Sequence, residues 1–165
     1  DMLAFSRTTT TDFQPARVDE MLDTVVRLAA SDYDLKKKYD FKQIEIVREY
    51  DPELEWITCD HTEIEQVLLN LVKNALEALD SGGQVILSSG AEDRQVWFSV
   101  RDTGGGMPPE VLEKIFNPFF TTKEKGTGLG LAVIHKIITD HHGDIAVSSS
   151  PDQGTTIRVV LPSAS

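Results

Sequence analysis

Between residues 18 and 30 apolar residues recur at 18, 21, 22, 25, 26, 28 and 29, the spacing of a helix buried along one side. Ile44 and Ile46, then Leu54, Trp56 and Ile57, read as two short strands with Asp51-Pro52 at the turn between them. Asp60-His61-Thr62-Glu63 has the spacing of a capping box, with aspartate in place of serine or threonine. It predicts a long helix reaching about Leu79, ended by Ser81-Gly82-Gly83. Residues 84–89 and 95–101 read as a hairpin, because Val96, Phe98 and Val100 recur with period two. A glycine-rich turn over 102–107 precedes a short helix opened by Pro108 or Pro109 and running to Phe116. Residues 117–128 read as a loop, 129–142 as a helix closed by Gly143, and 145–149 and 155–161 as two last strands. Residues 1–7 suit the last turns of a helix, which the threonines at 8–11 and Pro15 then break. Residues 32–40 are polar and basic, a loop or an exposed helix end. Strands and helices mix without a βαβ rhythm. The expected fold class is therefore an α/β (α+β) two-layer sandwich, one mixed sheet with helices on one face.

The helix over 60–79 has an unusual polar side. At about 100° per residue, Ile64, Val67, Leu68, Leu71, Ala75 and Ala78 share a face, and Leu69, Val72, Leu76 and Leu79 widen it. Gln66, Asn70, Lys73, Asn74 and Glu77 are left on a narrow stripe. Asparagine inside a helix costs on the order of half a kcal/mol relative to alanine, yet two stand here at i and i+4. They belong either to a solvated face or to a ligand site that uses their amide oxygens. An amide oxygen is a hard ligand of the kind Mg²⁺ accepts.

Three glycine segments follow. In Asp102-Thr103-Gly104-Gly105-Gly106 the carboxylate could accept a hydrogen bond from an exocyclic amine while the glycines admit a flat ring; a plain Asx turn explains it equally well. Gly126-Thr127-Gly128-Leu129-Gly130-Leu131 enters a helix, where amides and the positive helix end suit phosphate oxygens. It is neither a P-loop nor a Rossmann fingerprint. Between these lies Phe116-Asn117-Pro118-Phe119-Phe120-Thr121-Thr122-Lys123-Glu124-Lys125, which reads as a lid anchored by aromatics, with a lysine reaching a terminal phosphate, or as a packed loop with solvated lysines. Gly154-Thr155-Thr156, alone, is a turn.

Composition narrows the classes. The chain has 165 residues, enough for one domain with a real core, and no apolar run long enough to span a bilayer. It carries 16 Lys and Arg against 27 Asp and Glu, a net charge of −11, which argues against a nucleic-acid surface. One cysteine, Cys59, excludes an internal disulfide and a cysteine-rich metal site. His61, His135, His141 and His142 lack metal-site spacing and are assigned ordinary surface or capping roles. The first residue is Asp1 and no signal peptide is present; an excised piece of a longer protein is expected, the piece itself cytoplasmic and the full-length protein either cytoplasmic or membrane-anchored.

The order of these segments is more specific than any one of them. Asn-x-x-x-Asn on a helix, D-x-G-x-G, a Phe-rich loop, G-x-G-x-G and G-T-T resemble the N, G1, F, G2 and G3 boxes of sensor histidine kinases, over nearly the whole chain. The resemblance implies the Bergerat fold of the GHKL superfamily, with ATP and Mg²⁺ as cofactors. It implies Asn74 as the Mg²⁺ ligand and Asn70 at the phosphates or metal. It implies Asp102 at the adenine amine, Gly104 and Gly106 along the nucleotide, and Thr155 reaching adenine through water. Thr122, Gly126, Thr127, Gly128, Leu129, Gly130 and Leu131 would line the nucleotide, and Lys123 would touch the γ-phosphate. The short lid is similar to that of the nitrogen-regulation type. One departure stands out: the basic residue common three positions after the second N-box asparagine is Glu77 here, and Lys73 is the basic alternative.

Residues 1–15 would then be the tail of a dimerisation hairpin and its linker, and 16–165 the ATP-binding catalytic domain. Related ATPases such as gyrase use a glutamate, where this chain has Asn70, to take a proton from the attacking water; an amide cannot. A neutral imidazole brings its own lone pair, so the site suits transfer to histidine by positioning and charge neutralisation. None of the four histidines is followed by Glu with Pro five on, the family's acceptor setting. The acceptor is therefore expected on a separate domain, with a response regulator as a further partner. The domain alone would be monomeric and the parent a homodimer. A GHKL ATPase, or a nucleotide-binding module without turnover, is the alternative.

Overall fold

The structure is a computed structural model describing residues 13–31, 44–79, 82–112, 114 and 130–164. Helix α1 (Val18–Ser31) buries Val18, Met21, Leu22, Val25 and Ala29, the stripe its sequence marks, and places Asp19 and Glu20 at its positive end. Strand β2 (Ile44–Glu49) is tied to it where Asp23 Oδ1 accepts from Arg48 Nε at 2.8 Å and from the Tyr50 hydroxyl at 3.0 Å. Helix α2 (His61–Glu77) starts where expected: Asp60 is the N-cap, and its Oδ1 accepts from the Glu63 N–H at 3.1 Å. The wide apolar arc of α2 is buried at Ile64, Val67, Leu68, Leu71, Val72, Ala75 and Leu76.

Strands β4 (Gly83–Glu92) and β5 (Gln95–Asp102) form the expected hairpin. It runs three residues beyond residue 89 because Asp93 and Arg94 adopt positive φ, 52° and 65°, in a two-residue turn that matches strand twist. After the short α3 (Pro109–Leu112) and α4 (Gly130–Asp140), β6 (Asp144–Ser149) and β7 (Thr155–Pro162) complete a five-stranded sheet of order β2-β4-β5-β7-β6. Only the β2–β4 pair is parallel. The two-layer expectation holds. Helices α1, α2 and α4 cover one face, over rows such as Leu87–Val100–Ile157–Val147 and Phe98–Val159–Ile145. On the other face Trp97 lies over Gly90, with the Arg158 guanidinium 4.7 Å from its ring.

Two local readings change. The strands on either side of Asp51-Pro52 do not belong to one sheet. The second, β3 (Ile57–Asp60), begins after the exposed Trp56 and pairs antiparallel with β1 (Phe13–Ala16), a strand hidden by Pro15. Proline is tolerated there because a two-stranded ribbon uses only alternate N–H groups. Helix α4 is closed by His142 rather than Gly143: His142 holds φ 63°, its N–H reaches Thr139 O at 3.0 Å, and the Gly143 N–H reaches Ile138 O at 2.9 Å. That is a Schellman closure with histidine in the left-handed position.

Candidate functional site

The helix-covered face of the sheet turns polar at one end. Asp102 on β5 pairs with Thr155 on β7, which pairs with Ser149 on β6. These three side chains continue the apolar rows, and just beyond Asp102 the chain leaves the sheet as the glycine-rich turn. Asp102 is 5% exposed. Its Oδ1 accepts from the Gly104 N–H at 2.9 Å, and the carboxylate also accepts from the Thr155 N–H. Burial raises the carboxyl above its usual range, and these two N–H bonds draw it partly back.

The Asx turn proposed as the plain explanation of this segment is therefore present. Two of its three glycines, Gly104 and Gly106, are required by the protein's own packing, while Gly105 faces open space. A Cβ at Gly104 would collide with the Ala78 carbonyl at the end of α2. Gly106 has φ 72°, and a Cβ there would meet the Ser150 carbonyl. The turn is thus clamped between α2 and the β6–β7 connection. Ser149, which sequence reasoning passed over, is the clamp's hub. Its Oγ accepts from the Met107 N–H at 2.8 Å and lies 3.1 Å from Gly154 O and 2.8 Å from Thr155 Oγ1. Its place opposite Thr155 follows from the strand register, which the sequence alone does not show.

Asn70, Lys73, Asn74 and Glu77 are half-buried on α2. Asn74 stands four residues before Ala78, about 6 Å along the axis, so the contact of Gly104 with Ala78 brings the asparagine-bearing end of α2 to the Asp102 turn. Gly130 begins α4, and Leu131 in its first turn is half-buried against the core. Thr122, Lys123, Gly126, Thr127, Gly128 and Leu129 lie outside the described residues, as do residues 1–7. Among the described residues no cluster of three or more His, Cys, Asp or Glu side chains forms a metal site, and no helix is long and apolar enough to cross a membrane.

The family described as histidine kinase-, DNA gyrase B-, and HSP90-like ATPase matches residues 59–165. The chain belongs to this family. Within it the likeness is to histidine kinases. The catalytic domain of the histidine kinase ThkA is 35% identical and aligns over 92% of this chain and 96% of its own, with a TM-score of 0.79. Full-length ShkA, solved with AMPPNP, is 30% identical with a TM-score of 0.80, over 93% of this chain and 32% of that one. ThkA in complex with the response regulator TrrA is 33% identical with a TM-score of 0.75, over 92% of this chain and 42% of that one. AtoS of Escherichia coli is 36% identical over 98% of this chain, and the sensory histidine kinase/phosphatase NtrB of Rhizobium meliloti 34% over 99%. This chain spans 26% and 45% of their lengths. The fold and function expected from the ordered boxes are borne out: this is the ATP-binding catalytic domain of a two-component sensor histidine kinase.

Proposed function

We propose that this histidine kinase domain holds ATP against the Asp102–Thr155–Ser149 edge and the Asn70–Asn74 flank of α2. Its γ-phosphoryl group would pass to a histidine on a separate dimerisation domain, and from there to a response regulator. The observation carrying the reading is Asp102: a buried carboxylate fixed by two backbone N–H groups, acceptor-only, where the end of α2 meets the glycine turn. Such a group complements the exocyclic amine of adenine. AMPPNP in ShkA and the ThkA–TrrA complex support the ligand and the partner.

The donors on α2 fit Mg²⁺. They are amide oxygens rather than a carboxylate cage, as suits an ion that takes its remaining ligands from phosphates and water. Asn74 would hold it, with Asn70 turned to the phosphates. The ion would supply positive charge that offsets the negative charge of the phosphates. Asn70 supplies no general base. The domain therefore binds and aligns, and the acceptor imidazole brings its own lone pair to the phosphorus. Lys123 would meet the γ-phosphate from the lid segment.

The test uses ATP labelled in the γ-phosphate. The chain alone should remain unlabelled, and a histidine-bearing hairpin domain added in trans should acquire an acid-labile, base-stable label. Steady release of inorganic phosphate at a rate indifferent to the hairpin would instead identify an ATPase.

A further inference from the structure

Ser149 sits where a single proton decides what the base edge can recognise. A serine hydroxyl has one hydrogen to donate and two lone pairs to accept with. One lone pair takes the Met107 N–H at 2.8 Å. Gly154 O, 3.1 Å away, is a carbonyl and only accepts, so that contact uses the Ser149 proton. The remaining contact, 2.8 Å to Thr155 Oγ1, then needs a proton from Thr155. This is the only assignment that fills all three contacts. It turns the Thr155 hydrogen inward and leaves its lone pairs for the site. Beside it stands the ionised Asp102, also acceptor-only, and hydrogen-bonded to the Thr155 N–H.

We propose that Ser149 is a specificity-positioning residue: by taking the Thr155 proton it makes this edge of the pocket acceptor-only, so that a 6-aminopurine is selected and a 6-oxopurine rejected. The inference rests on the ATP-binding reading above. An amine offers two hydrogens to the pair of acceptors, directly or through a water. A 6-oxo group would face lone pairs with a lone pair, and a buried acceptor left unmatched is costly. Without Ser149, the Thr155 hydroxyl is free to rotate and donate to a carbonyl.

The experiment measures the affinities of ATP and inosine triphosphate for the wild-type chain, Ser149→Ala, Ser149→Thr and Thr155→Val, with thermal melts to confirm folding. In Ser149→Ala the ATP-to-inosine-triphosphate ratio should fall about tenfold, corresponding to about 1.4 kcal/mol. Ser149→Thr, which keeps the hydroxyl, should restore it. Thr155→Val leaves the other two Ser149 contacts and reads the same ratio through the acceptor itself, which should also fall. Equal losses for both nucleotides in Ser149→Ala would make Ser149 a structural pin and overturn the proposal, as would an unchanged ratio. A folded wild-type chain that binds neither nucleotide would instead remove the ATP reading itself.

Discussion

At the scale of single residues, the role proposed for Asp102 and the stability of the fold pull against each other. Its folded-state pKa lies above the unfolded one because burial penalises the charge, so the ionised carboxylate costs stability at neutral pH. That cost is fully present above the folded-state value, fades as pH falls through it, and is gone below the unfolded one. Carbon-detected NMR of the Asp102 carboxyl should give a midpoint above the ordinary aspartate value of about 3.9; one below it would mean that the two N–H bonds outweigh burial. Ser89 presents a different case. It is buried on the core face beside Phe98, and its Oγ has no hydrogen-bond partner among the described residues. Ser89→Ala should be neutral or stabilising, by up to about 1 kcal/mol in urea melts. A loss of that size would reveal a hidden partner. Neither property was readable from sequence. A carboxylate before glycines looks alike buried or exposed, and Ser89 broke no pattern strongly enough to mark it.

Elements with a strong internal period were legible. Helices α1 and α2 follow their apolar stripes, and the hairpin β4–β5 follows its alternation. Strand β1 was not: four residues with three exposed carry no alternation, and its partner β3 lies more than forty positions away. The junction at His141 was hidden for the same reason. It was grouped with surface or capping histidines, yet it is 4% exposed. Its Nδ1 bonds Ile137 O at 2.8 Å, which requires a hydrogen there. Nε2 then accepts from the Asp60 N–H at 3.1 Å, and the ring stacks on Phe13 at 4.8 Å. The ring is thus the neutral Nδ1–H tautomer, joining the end of α4 to the N-cap of α2 and to β1. His141→Ala should cost about 1–3 kcal/mol by leaving the part-buried Asp60 N–H unpaired. A change within experimental error in a urea titration would show that this junction bears no weight.

At the scale of the molecule, the sheet and helix layers serve to bring one end of α2 against the turn after β5. The order of the boxes announced this in the sequence, although each alone had an ordinary explanation. The sequence could not separate glycines needed by a ligand from glycines needed by the fold. Gly104 and Gly106 are held by the Ala78 and Ser150 carbonyls, so the protein itself demands them. The assignments at Lys123 and Gly126 rest on the sequence pattern. A chain of net charge −11 also has little long-range attraction for a triphosphate, so in the proposed reading the weight of binding would fall on Asp102 and on Mg²⁺ held at Asn74. Calorimetric titration with a non-hydrolysable ATP analogue, with and without Mg²⁺, on the wild type, Asn74→Ala and Asp102→Ala tests that claim most directly. Saturable binding is expected, weakened at least tenfold by Asp102→Ala and made insensitive to Mg²⁺ by Asn74→Ala. Wild-type affinity in both folded variants, or no binding by the folded wild type, would contradict it.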